Sequence, residues 1–528
     1  MSNKKEGWTE RQQERQKKQK SSDEARRKRR EAKAKKNQRK LPSKKVMLTI
    51  SLIIIVLGAV LVWQLGIKHF TAIYIRSDGT VDPPSAALTN LGDNQYTFIG
   101  DIFGSIIIER DNIVIDGANH VLYGDVDTNS TGIELNKRSN VTVTNLKIED
   151  FLYGTFLNSS TNIVLSNNYL TTKYGVCFDS SLYNTVIEND FVNCSSAIWL
   201  AVSSNNTILN NNLDNNDFGL KLDYMSSNNT ISGNTIINNQ EGIFLDKSSN
   251  GNSIYENILE TNGYAITLAQ SLNNSIVGNS ISDCEGAIGF IYSSSNRITN
   301  NNLIDNTYSI FLNLNSKSND IQNNSIKNSE SAILLTDTSD DNNIFENVIE
   351  GVTEAIRLDN STGISIVENV ISDCEGSVGL TYSSNNHIMN NNITDNEYGI
   401  SITLESELNT ISANRIVNSE IAIGIIESSN NQINGNTISG NEYGVYLNET
   451  SGNSFYANDF LNNTSQVFIV ASDNTVWDNE SLSMGNFWSD YETGYPDAEE
   501  VDQSGTWNTP YTIDVYNKDN YPLTSPAN

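Results

Sequence analysis

The sequence predicts an all-β protein that is mainly a right-handed parallel β-helix, a solenoid with about 22 or 23 residues per coil. One phrase recurs at this period from Asn140 to about Asn479, and a clear copy begins Asn229-Thr-Ile-Ser-Gly-Asn-Thr-Ile. A fixed repeat is typical of stacked units, and short β-branched runs between Asn, Ser and Gly indicate strands rather than helix pairs. All seven prolines lie outside residues 85 to 495, as continuous strand pairing requires. The preferred hand of parallel crossovers makes the coil right-handed.

Three columns of residues recur once per coil. The first begins each copy and is asparagine except at one position: Asn112, Asn140, Asn162, Asn184, Asn206, Asn229, Asn252, Asn274, Asn296, Asn319, Asn342, Ile364, Asn386, Asn409, Asn431, Asn453 and Asn474. A second asparagine follows five residues later, from Asn145 to Asn479, and a third column holds only Gly, Ala or Ser, from Gly154 to Gly444. We expect the asparagines to form ladders of amides in the turns, and the small residues to occupy a tight bend.

A longer period lies on top of the coil period. The segments Ile281–Ser294 and Ile371–Ser384 match at an offset of 90 residues, which is four coils. The first column has 16 steps from end to end, so a strand spacing of ~4.8 Å gives a solenoid on the order of 75 Å long. The duplication favours a lengthened scaffold over a single dedicated pocket.

The net charge of −29 is divided unevenly along the chain. Residues 1 to 45 carry 19 Lys and Arg against 6 Asp and Glu, so by subtraction residues 46 to 528 carry 15 basic and 57 acidic groups. We predict that residues 1–45 are a basic, disordered cytoplasmic tail. Because the acidic body would repel nucleic acid, no nucleic-acid partner is expected.

Residues 46–67 form an uncharged apolar run of 22 residues, long enough to cross a bilayer as a helix. The basic flank assigns that side to the cytoplasm, so the sequence predicts a single-pass membrane protein whose β-helix is extracytoplasmic. A cleaved signal peptide is the alternative. A retained signal anchor fits better, because the basic region is 45 residues long and no Ala-x-Ala site follows before Lys68.

The rest of the chain divides into three parts. Residues 68–139 lack the regular phrase until Asn112, and we interpret them as a linker and N-terminal cap coils. Residues 140–480 are the parallel β-helix repeats. Residues 481–528 are dense in aromatic residues and form the predicted C-terminal cap.

Three stretches carry a resemblance to a known family. They are the entry segment 96–117, the Asn-x-Ile-x-x-Asn-x-Ile coils, and an ending with Gly485-Asn-Phe-Trp-Ser-Asp-Tyr, Thr509-Pro-Tyr-Thr-Ile-Asp and Asp519-Asn-Tyr-Pro-Leu. Over roughly residues 71 to 523 the chain resembles the NosD-like right-handed β-helix proteins (periplasmic copper-binding protein family), particularly the surface forms found in archaea. The family name implies maturation of a copper site. Many relatives have an Asp/Gly-rich loop within the ending, which here reads Pro496-Asp-Ala-Glu-Glu-Val-Asp-Gln-Ser-Gly.

The residues give little support to copper. Copper needs soft or imidazole ligands, and the three His, five Met and four Cys are not clustered in the sequence. Cys194, Cys284 and Cys374 stand four coils apart, ~19 Å by strand spacing, which is too far for disulfides among them. Cys177 belongs to a different column. We predict no metal site and no cofactor.

Carboxylates on one face are the candidate catalytic residues. Lyases and hydrolases on this scaffold use clustered carboxylates with a base or a cation. Asp223 and Asp246 are predicted neighbours on adjacent coils, with Lys221 and Lys247 nearby, and the Lys247 side chain is expected to point into water. A solvated acidic surface accounts for the same residues without any site, because a fold shared with enzymes is not evidence of one.

The next column carries the candidate ligand-binding residues Tyr224, Tyr292 and Tyr382. Tyrosine rings stack on sugar rings, although exposed Tyr is also ordinary in strands. Asn-x-Ser/Thr sequons occur from Asn129 to Asn479, and extracytoplasmic exposure predicts glycosylation of those in turns.

The sequence thus predicts a membrane-anchored cell-surface β-helix with a binding or structural role toward carbohydrate or cell-envelope components. A polysaccharide lyase or hydrolase on the same scaffold is the alternative, and a NosD-like metal-site maturation factor is the third.

Overall fold

The computed structural model describes residues 70–125 and 130–527. The predicted cytoplasmic tail at residues 1–45 and the predicted membrane anchor at residues 46–67 lie outside these ranges. Within them, no helix combines the length and the apolar character needed to cross a membrane.

The described residues form the predicted right-handed parallel β-solenoid, with about 17 turns. Each turn passes through three sheets, named A, B and C in chain order, and each strand pairs in parallel with its counterparts one turn before and after. The strands of sheet A are Thr71–Ile75, Ile102–Ile108, Thr131–Asn136, Tyr153–Asn158, Tyr174–Asp179, Ser196–Ala201, Phe218–Asp223, Glu241–Leu245, Tyr264–Ala269, Gly286–Ile291, Tyr308–Asn313, Ser331–Leu335, Glu354–Asp359, Gly376–Thr381, Tyr398–Thr403, Ile421–Ile426, Tyr443–Asn448 and Ser465–Val470.

The other two sheets consist mainly of three-residue strands. Those of sheet B are Leu88–Gly92, Gln95–Phe98, Ile113–Asp116, Val141–Thr144, Val164–Ser166, Thr185–Ile187, Thr207–Leu209, Thr230–Ser232, Ser253–Tyr255, Ser275–Val277, Arg297–Thr299, Asp320–Gln322, Asn343–Phe345, Ser365–Val367, His387–Met389, Thr410–Ser412, Gln432–Asn434 and Ser454–Tyr456. Those of sheet C are Val121–Tyr123, Lys147–Glu149, Tyr169–Thr171, Asp190–Val192, Asn212–Asp214, Thr235–Ile237, Ile258–Glu260, Ser280–Ser282, Asn302–Ile304, Ser325–Lys327, Val348–Glu350, Val370–Ser372, Asn392–Thr394, Arg415–Val417, Thr437–Ser439, Asp459–Leu461 and Phe487–Trp488.

A few elements depart from this pattern at the two ends. Near the N-terminal end of the solenoid, Val81–Asp82 pairs antiparallel with Thr71–Ile75, and Leu88–Gly92 pairs antiparallel with Gln95–Phe98. Near the C-terminus, a short helix α1 spans Tyr491–Gly494, and Tyr511–Thr512 pairs antiparallel with Lys518–Asp519.

The core is a stack of aliphatic side chains that repeat from coil to coil. In Phe218–Asp223, Leu220 and Leu222 point inward and are fully buried, whereas Lys221 points outward. Leu220 lies in register with Ile198 of the preceding coil and Ile243 of the next one. The predicted filling of the interior by aliphatic side chains is therefore confirmed. Each such side chain contributes roughly 1.5–3 kcal/mol through its removal from water.

Asparagine ladders hold the turns between the sheets. The backbone N–H of Asn229 donates to Oδ1 of Asn252 (2.8 Å), and Nδ2 of Asn229 donates to the same oxygen (3.0 Å). Oδ1 of Asn229 in turn accepts from the N–H of Asn206 (2.9 Å), and Nδ2 also donates to the carbonyl of Ser203 (3.1 Å). Each amide therefore satisfies backbone groups that the bend removes from water.

The first ladder, between sheets A and B, runs from Asn184 to Asn453, and the second, between sheets B and C, runs from Asn168 to Asn486. The predicted register was wrong by one residue at Asn112, Asn140, Asn162 and Asn474 in the first column, and at Asn145 in the second. Strand pairing puts Ile163 in line with Asn184, and the Ile163 N–H donates to Asn184 Oδ1 (2.9 Å). Asn479 is likewise outside the second ladder.

The error has a physical cause. The residue just before each ladder position is exposed and has a positive φ, 54° at Asn162 and 58° at Asn205. Asparagine is favoured there because it tolerates the left-handed region, and at the next position because its amide bonds neighbouring coils. Two adjacent columns thus select the same residue for different reasons.

Two further ladders were not predicted. In the turns between sheets A and B, serine hydroxyls take the same role: the N–H of Ser181 donates to Oγ of Ser203 (3.0 Å). In the turns between sheets C and A, the N–H of Cys194 donates to Oδ1 of Asn216 (2.8 Å), and Cys284 and Cys374 occupy the equivalent positions. All four cysteines are buried and free, so the cysteines in this ladder fill a small turn position.

The small-residue column is a steric requirement, as predicted. A Cβ atom at Gly242 would lie 2.5 Å from the carbonyl oxygen of Ala265, and one at Gly219 would lie 2.7 Å from that of Gly242. Ala265 and Ala287 in the same column are fully buried.

An aromatic stack closes the C-terminal end of the core. Phe460 and Trp488 lie with ring centroids 4.4 Å apart and planes within 6°, and Trp488 stacks on Tyr511 at 4.2 Å. Asp519 is fully buried beside them and accepts hydrogen bonds from the Asn486 N–H (2.7 Å) and from Trp488 Nε1 (2.9 Å). Burial raises the pKa of the Asp519 carboxyl to about 7, although these hydrogen bonds oppose the shift.

The ladder makes a prediction about a matched pair of asparagines in one coil. Asn296 accepts from the Asn274 N–H (2.8 Å) and is buried, whereas Asn302 is exposed on a strand of sheet C. Asn296→Ile should lower the free energy of unfolding by about 1–3 kcal/mol, because it leaves buried backbone groups without partners. Asn302→Ile should change it by less than about 0.5 kcal/mol. Urea unfolding measures both, and equal effects would contradict a stabilising role of the ladder.

The C-terminal cap should lose stability as the pH rises. The folded pKa of Asp519 lies above its unfolded value, so the protonated carboxyl contributes stability that is present below about pH 4 and lost through about pH 7, up to ~4 kcal/mol for three pKa units. Chemical unfolding followed by tryptophan fluorescence at about pH 5 and pH 8 measures this loss. Asp519→Asn should reduce the difference between the two pH values, and an unchanged difference would contradict the assignment to Asp519.

Candidate functional site

The outer face of sheet A is the widest strand surface of the solenoid. Most strands of sheet A have six residues, and their first, fourth and sixth side chains point outward, whereas most strands of sheets B and C have three residues. We call this surface the outer face of sheet A. Because successive coils are in register, its side chains form three columns that run along the solenoid axis.

Aromatic side chains are concentrated on this face. The partly exposed aromatic residues in outward positions of sheet A are Tyr74, Phe103, Tyr153, Phe156, Tyr174, Trp199, Phe218, Phe244, Tyr264, Tyr308, Phe311, Tyr398, Tyr443, Tyr446 and Phe468. Those of sheets B and C are Tyr123, Tyr169, Tyr255, Phe345, Tyr456 and Phe487. Sequence reasoning missed this row, although the signal was present as an aromatic residue immediately before many members of the small column, as in Tyr174-Gly175 and Tyr398-Gly399.

The structure brings together the two candidate carboxylates at one edge of this face. Lys247 Nζ lies 3.2 Å from Oδ1 of Asp223 and 3.6 Å from Oδ2 of Asp246. Lys221 Nζ is 3.7 Å from the other oxygen of Asp223, and Lys247 Nζ sits 4.1 Å from the ring centroid of Tyr224. The predicted proximity of Asp223, Asp246 and the two lysines is therefore confirmed.

The contacts of Asp223 with Lys221 and Lys247, which we call the lysine clamp, join two neighbouring coils. The side chain of Asp223 is 3% exposed, and its carboxylate lies against a lysine on either side. A carboxylate so enclosed is poorly placed to reach a substrate, whereas a buried charge without its partner is costly. Lys247 is exposed, as expected, but its ammonium group lies against Asp223 and the Tyr224 ring. The catalytic role of Asp223 and Asp246 stays a prediction.

The three candidate tyrosines lie at a corner rather than on a strand. Tyr224, Tyr292 and Tyr382 each follow a strand of sheet A with φ of 50°, and about half of each side chain is exposed. Three coils separate Tyr224 from Tyr292, and four separate Tyr292 from Tyr382, so at ~4.8 Å per coil they are ~14 and ~19 Å apart. They border the outer face of sheet A singly and do not form one platform.

Sequence reasoning missed one carboxyl group on this face whose pKa is raised toward neutral pH. Glu241 lies in register between Phe218 and Tyr264, and burial raises its pKa to about 7. Thr267 Oγ1 donates to its carboxyl group (3.1 Å), which opposes the shift. A carboxyl with such a pKa can donate or accept a proton near neutral pH.

Two depressions lie side by side farther along the outer face, and Arg357 and Glu354 border both. The smaller has a volume of about 190 Å³ and is lined by residues that include Glu354, Arg357, Gly376, Gly379, Tyr398 and Ser401. The larger has a volume of about 400 Å³ and is lined by residues that include Tyr308, Glu330, Ser331, Leu334, Arg357 and Asp359. Arg357 Nη1 donates to both carboxylate oxygens of Glu354 (3.0 and 3.2 Å), which holds the guanidinium between the two depressions.

No group of three or more His, Cys, Asp or Glu residues within residues 70–125 and 130–527 is arranged to hold a metal ion. Burial raises the pKa of the Cys284 and Cys374 thiols to about 11. These thiols are therefore neutral at physiological pH, and a thiolate is the form that binds metals.

By its fold the chain is a right-handed parallel β-helix protein with a broad, aromatic outer face on one sheet. The profile of the family described as periplasmic copper-binding protein (NosD) matches residues 311–493, and the profile described as right handed beta helix region matches residues 131–271 and 247–349. The resemblance to the NosD-like β-helix proteins is thereby confirmed. No curated protein matches the chain.

Solved structures with a similar fold include two carbohydrate-active enzymes. DFA-IIIase from Arthrobacter chlorophenolicus A6, in complex with GF2, is 13% identical with a TM-score of 0.37, over 52% of this chain and 83% of the enzyme. The periplasmic alginate epimerase AlgG is 13% identical with a TM-score of 0.35, over 80% of this chain and 88% of that protein. Likeness at this level carries no argument about the activity of this chain.

The lysine clamp predicts different outcomes for two lysines. Lys247 faces the buried Asp223, whereas Lys327 pairs with Glu350 at 2.6 Å and both partners are more than two-fifths exposed. Lys247→Ala should lower the thermal midpoint, because a buried carboxylate loses its closer partner, and Lys327→Ala should leave it nearly unchanged. Calorimetry on both variants measures this, and equal midpoints would show that Asp223 does not need Lys247.

Proposed function

We propose that the protein is a cell-surface carbohydrate-binding protein that holds an extended glycan along the outer face of sheet A. The observation that carries this proposal is the row of partly exposed aromatic residues from Tyr153 to Phe468 on that face. Sugar rings have flat faces rich in C–H groups and edges rich in hydroxyls, so aromatic rings pack on the faces while neighbouring polar groups bind the edges.

The polar groups needed for such contacts lie between the aromatic rings. Lys221 approaches the Phe218 ring (5.2 Å) and the Trp199 ring (5.9 Å), and Glu241 lies between Phe218 and Tyr264 in its column. Aromatic residues continue along the outer face of sheet A from Tyr153 to Phe468. A long surface of this kind suits a polymer better than a small molecule.

An enzyme that cleaves polysaccharide is the second candidate, and the observation that favours it is Glu241. Its carboxyl has a pKa of about 7 and lies on the aromatic face, where a general acid or base would meet a glycan. Metal-site maturation, the third possibility, has only the family name in its favour.

The deciding experiment is a glycan array with the full-length protein, followed by an assay of each bound glycan for new reducing ends or unsaturated products. Binding without products supports the binding protein. Products that disappear in Glu241→Gln, Asp223→Asn or Asp246→Asn would support the enzyme and identify which carboxyl acts. A protein that binds no glycan on the array would contradict both.

The face can be tested with two matched aromatic residues. Phe244 lies on the outer face of sheet A, and Tyr255 lies on the outer face of sheet B, on the strand that follows along the chain. Phe244→Ala should weaken the binding of a glycan found on the array about tenfold, because a stacking ring contributes on the order of 1 kcal/mol or more. Tyr255→Ala should leave the affinity unchanged. Isothermal titration calorimetry measures both, and the reverse result would assign binding to sheet B.

The proposed location follows from the chain outside the described residues. We propose that residues 46–67 anchor the protein in the membrane, with residues 1–45 in the cytoplasm and the solenoid outside. Protease added to intact cells should then degrade the solenoid and leave a small membrane-bound fragment that carries the basic tail. A solenoid that stays intact until the cells are lysed would contradict this orientation.

A further inference from the structure

The two copies of the 90-residue duplication differ on the outer face of sheet A. The strands Tyr264–Ala269, Gly286–Ile291 and Tyr308–Asn313 of one copy correspond to Glu354–Asp359, Gly376–Thr381 and Tyr398–Thr403 of the other. In both copies the middle strand has glycine at its first and fourth positions, which are outward positions. The outer face therefore has a gap one coil wide in each copy.

In the first copy the protein fills this gap with its own rings. Tyr264 from the coil before and Phe311 from the coil after meet above the glycines, with ring centroids 6.1 Å apart. A Cβ atom at Gly286 would lie 2.6 Å from the Tyr264 ring and 2.9 Å from the Phe311 ring, and one at Gly289 would overlap the Phe311 ring. Packing against these rings accounts for both glycines.

In the second copy the glycines remain but the rings that would fill the gap are absent. Glu354 stands where the first copy has Tyr264, Ser401 stands where it has Phe311, and Arg357 replaces Thr267. A Cβ atom at Gly379 would meet no atom within 4 Å, and one at Gly376 would meet only the Thr353 carbonyl oxygen, at 3.9 Å.

Internal packing thus gives no reason for glycine at residues 376 and 379. Glycine inside a strand weakens the strand, and where internal packing does not require it, it marks a close approach by another group. The smaller depression lies over these two residues.

The surrounding polar groups point to a ligand with hydroxyls. The Nε and Nη2 groups of Arg357 make no hydrogen bond or ion pair with any residue in the described ranges. In the adjoining larger depression, Ser331 is 4% exposed and its Oγ has no hydrogen-bond partner within those ranges. Free donors beside the Glu354 carboxylate, an acceptor, match the hydroxyl edge of a sugar.

We infer that the smaller depression is a subsite for one neutral hexose ring of the bound glycan. The ring lies over Gly376 and Gly379, where the first copy places Phe311. The inference rests on the proposed function and specifies its ligand. The ring packs on the strand backbone, Arg357 donates to its hydroxyls, and Glu354 accepts from them. The chain of sugars continues past Arg357 into the depression at Ser331.

The local charge selects a neutral sugar over an acidic one. Glu330 and Asp359 line the larger depression, and Glu354 already pairs with Arg357. Glu375 and Glu397 are exposed in the turns that lead into the strands Gly376–Thr381 and Tyr398–Thr403. A carboxylate on the ligand would meet repulsion from these groups, with one arginine that is already engaged to offset it.

The test exchanges residues between the two copies. Ser401→Phe places in the second copy the ring that the first copy carries, so the fold should be kept and the depression filled. Arg357→Thr replaces the guanidinium with the first copy's side chain. The control is Ser412→Phe, which adds the same ring at an outward position of sheet B and leaves the outer face of sheet A unchanged. Calorimetric titration of the full-length proteins would use cellohexaose, mannohexaose, maltohexaose and an oligogalacturonate, with circular dichroism to confirm folding.

At least one neutral oligosaccharide should bind the wild type and Ser412→Phe with equal affinity. It should bind Ser401→Phe and Arg357→Thr at least tenfold more weakly. If Ser401→Phe binds as tightly as the wild type while Phe244→Ala binds weakly, the subsite is wrong and the proposed function stands. If the oligogalacturonate binds best and Ser401→Phe abolishes that binding, the neutral class is overturned. If no glycan binds the wild type here or on the array, both the subsite and the proposed function fail.

Discussion

Buried backbone groups at the bends are the constraint on which the rest of the structure depends. A solenoid must turn its chain three times per coil, and each bend takes N–H and C=O groups out of sheet pairing and away from water. Here side chains from the neighbouring coil satisfy them: asparagine amides in the first and second ladders and in the ladder between sheets C and A, and serine hydroxyls beside the first ladder. Each side-chain oxygen accepts from the preceding coil while the amide nitrogens donate within the stack, so every coil is bonded to its neighbours at its corners as well as along its strands.

This arrangement separates stability from function. The ladders and the aliphatic stack lie inside or at the corners, so the outward positions of the strands are free to vary. The duplication illustrates this. Its two copies keep most ladder and core positions, with Ile364 in place of Asn274 as an exception, but they carry different outward residues, Tyr264 against Glu354 and Phe311 against Ser401. The face that gained aromatic rings, charged groups and an open depression is the one whose strands are long enough to present three columns of side chains.

Much of the fold could be predicted from the sequence because repetition multiplies a weak local signal. The period, the buried aliphatic columns and the small column at Gly242 and Ala265 were each evident as alignments. The register of the first coils was not, because asparagine is favoured at Asn162 for its left-handed backbone and at Asn184 for its amide, and composition does not separate the two reasons. The ladder between sheets C and A was not recognised, because Cys194 and Asn216 look unrelated until strand pairing puts them in line.

The site was harder to predict than the fold. The aligned column of Asp223 indicated that Asp223, Asp246 and two lysines lie close together. The contact of Lys247 with a buried carboxylate was not evident, because it depends on how far the lysine side chain folds back. The gap over Gly379 is open because the flanking coils carry Glu354 and Ser401 where the first copy has aromatic residues. Repetition says nothing about such differences, since they are departures from the repeat.

The measurement that tests the account most directly is a crystal structure of the protein with a bound neutral oligosaccharide. The account predicts density for sugar rings on the outer face of sheet A, with one ring over Gly376 and Gly379 and hydrogen bonds to Arg357 and Glu354. Density confined to sheet B, sheet C or the corner turns would contradict it.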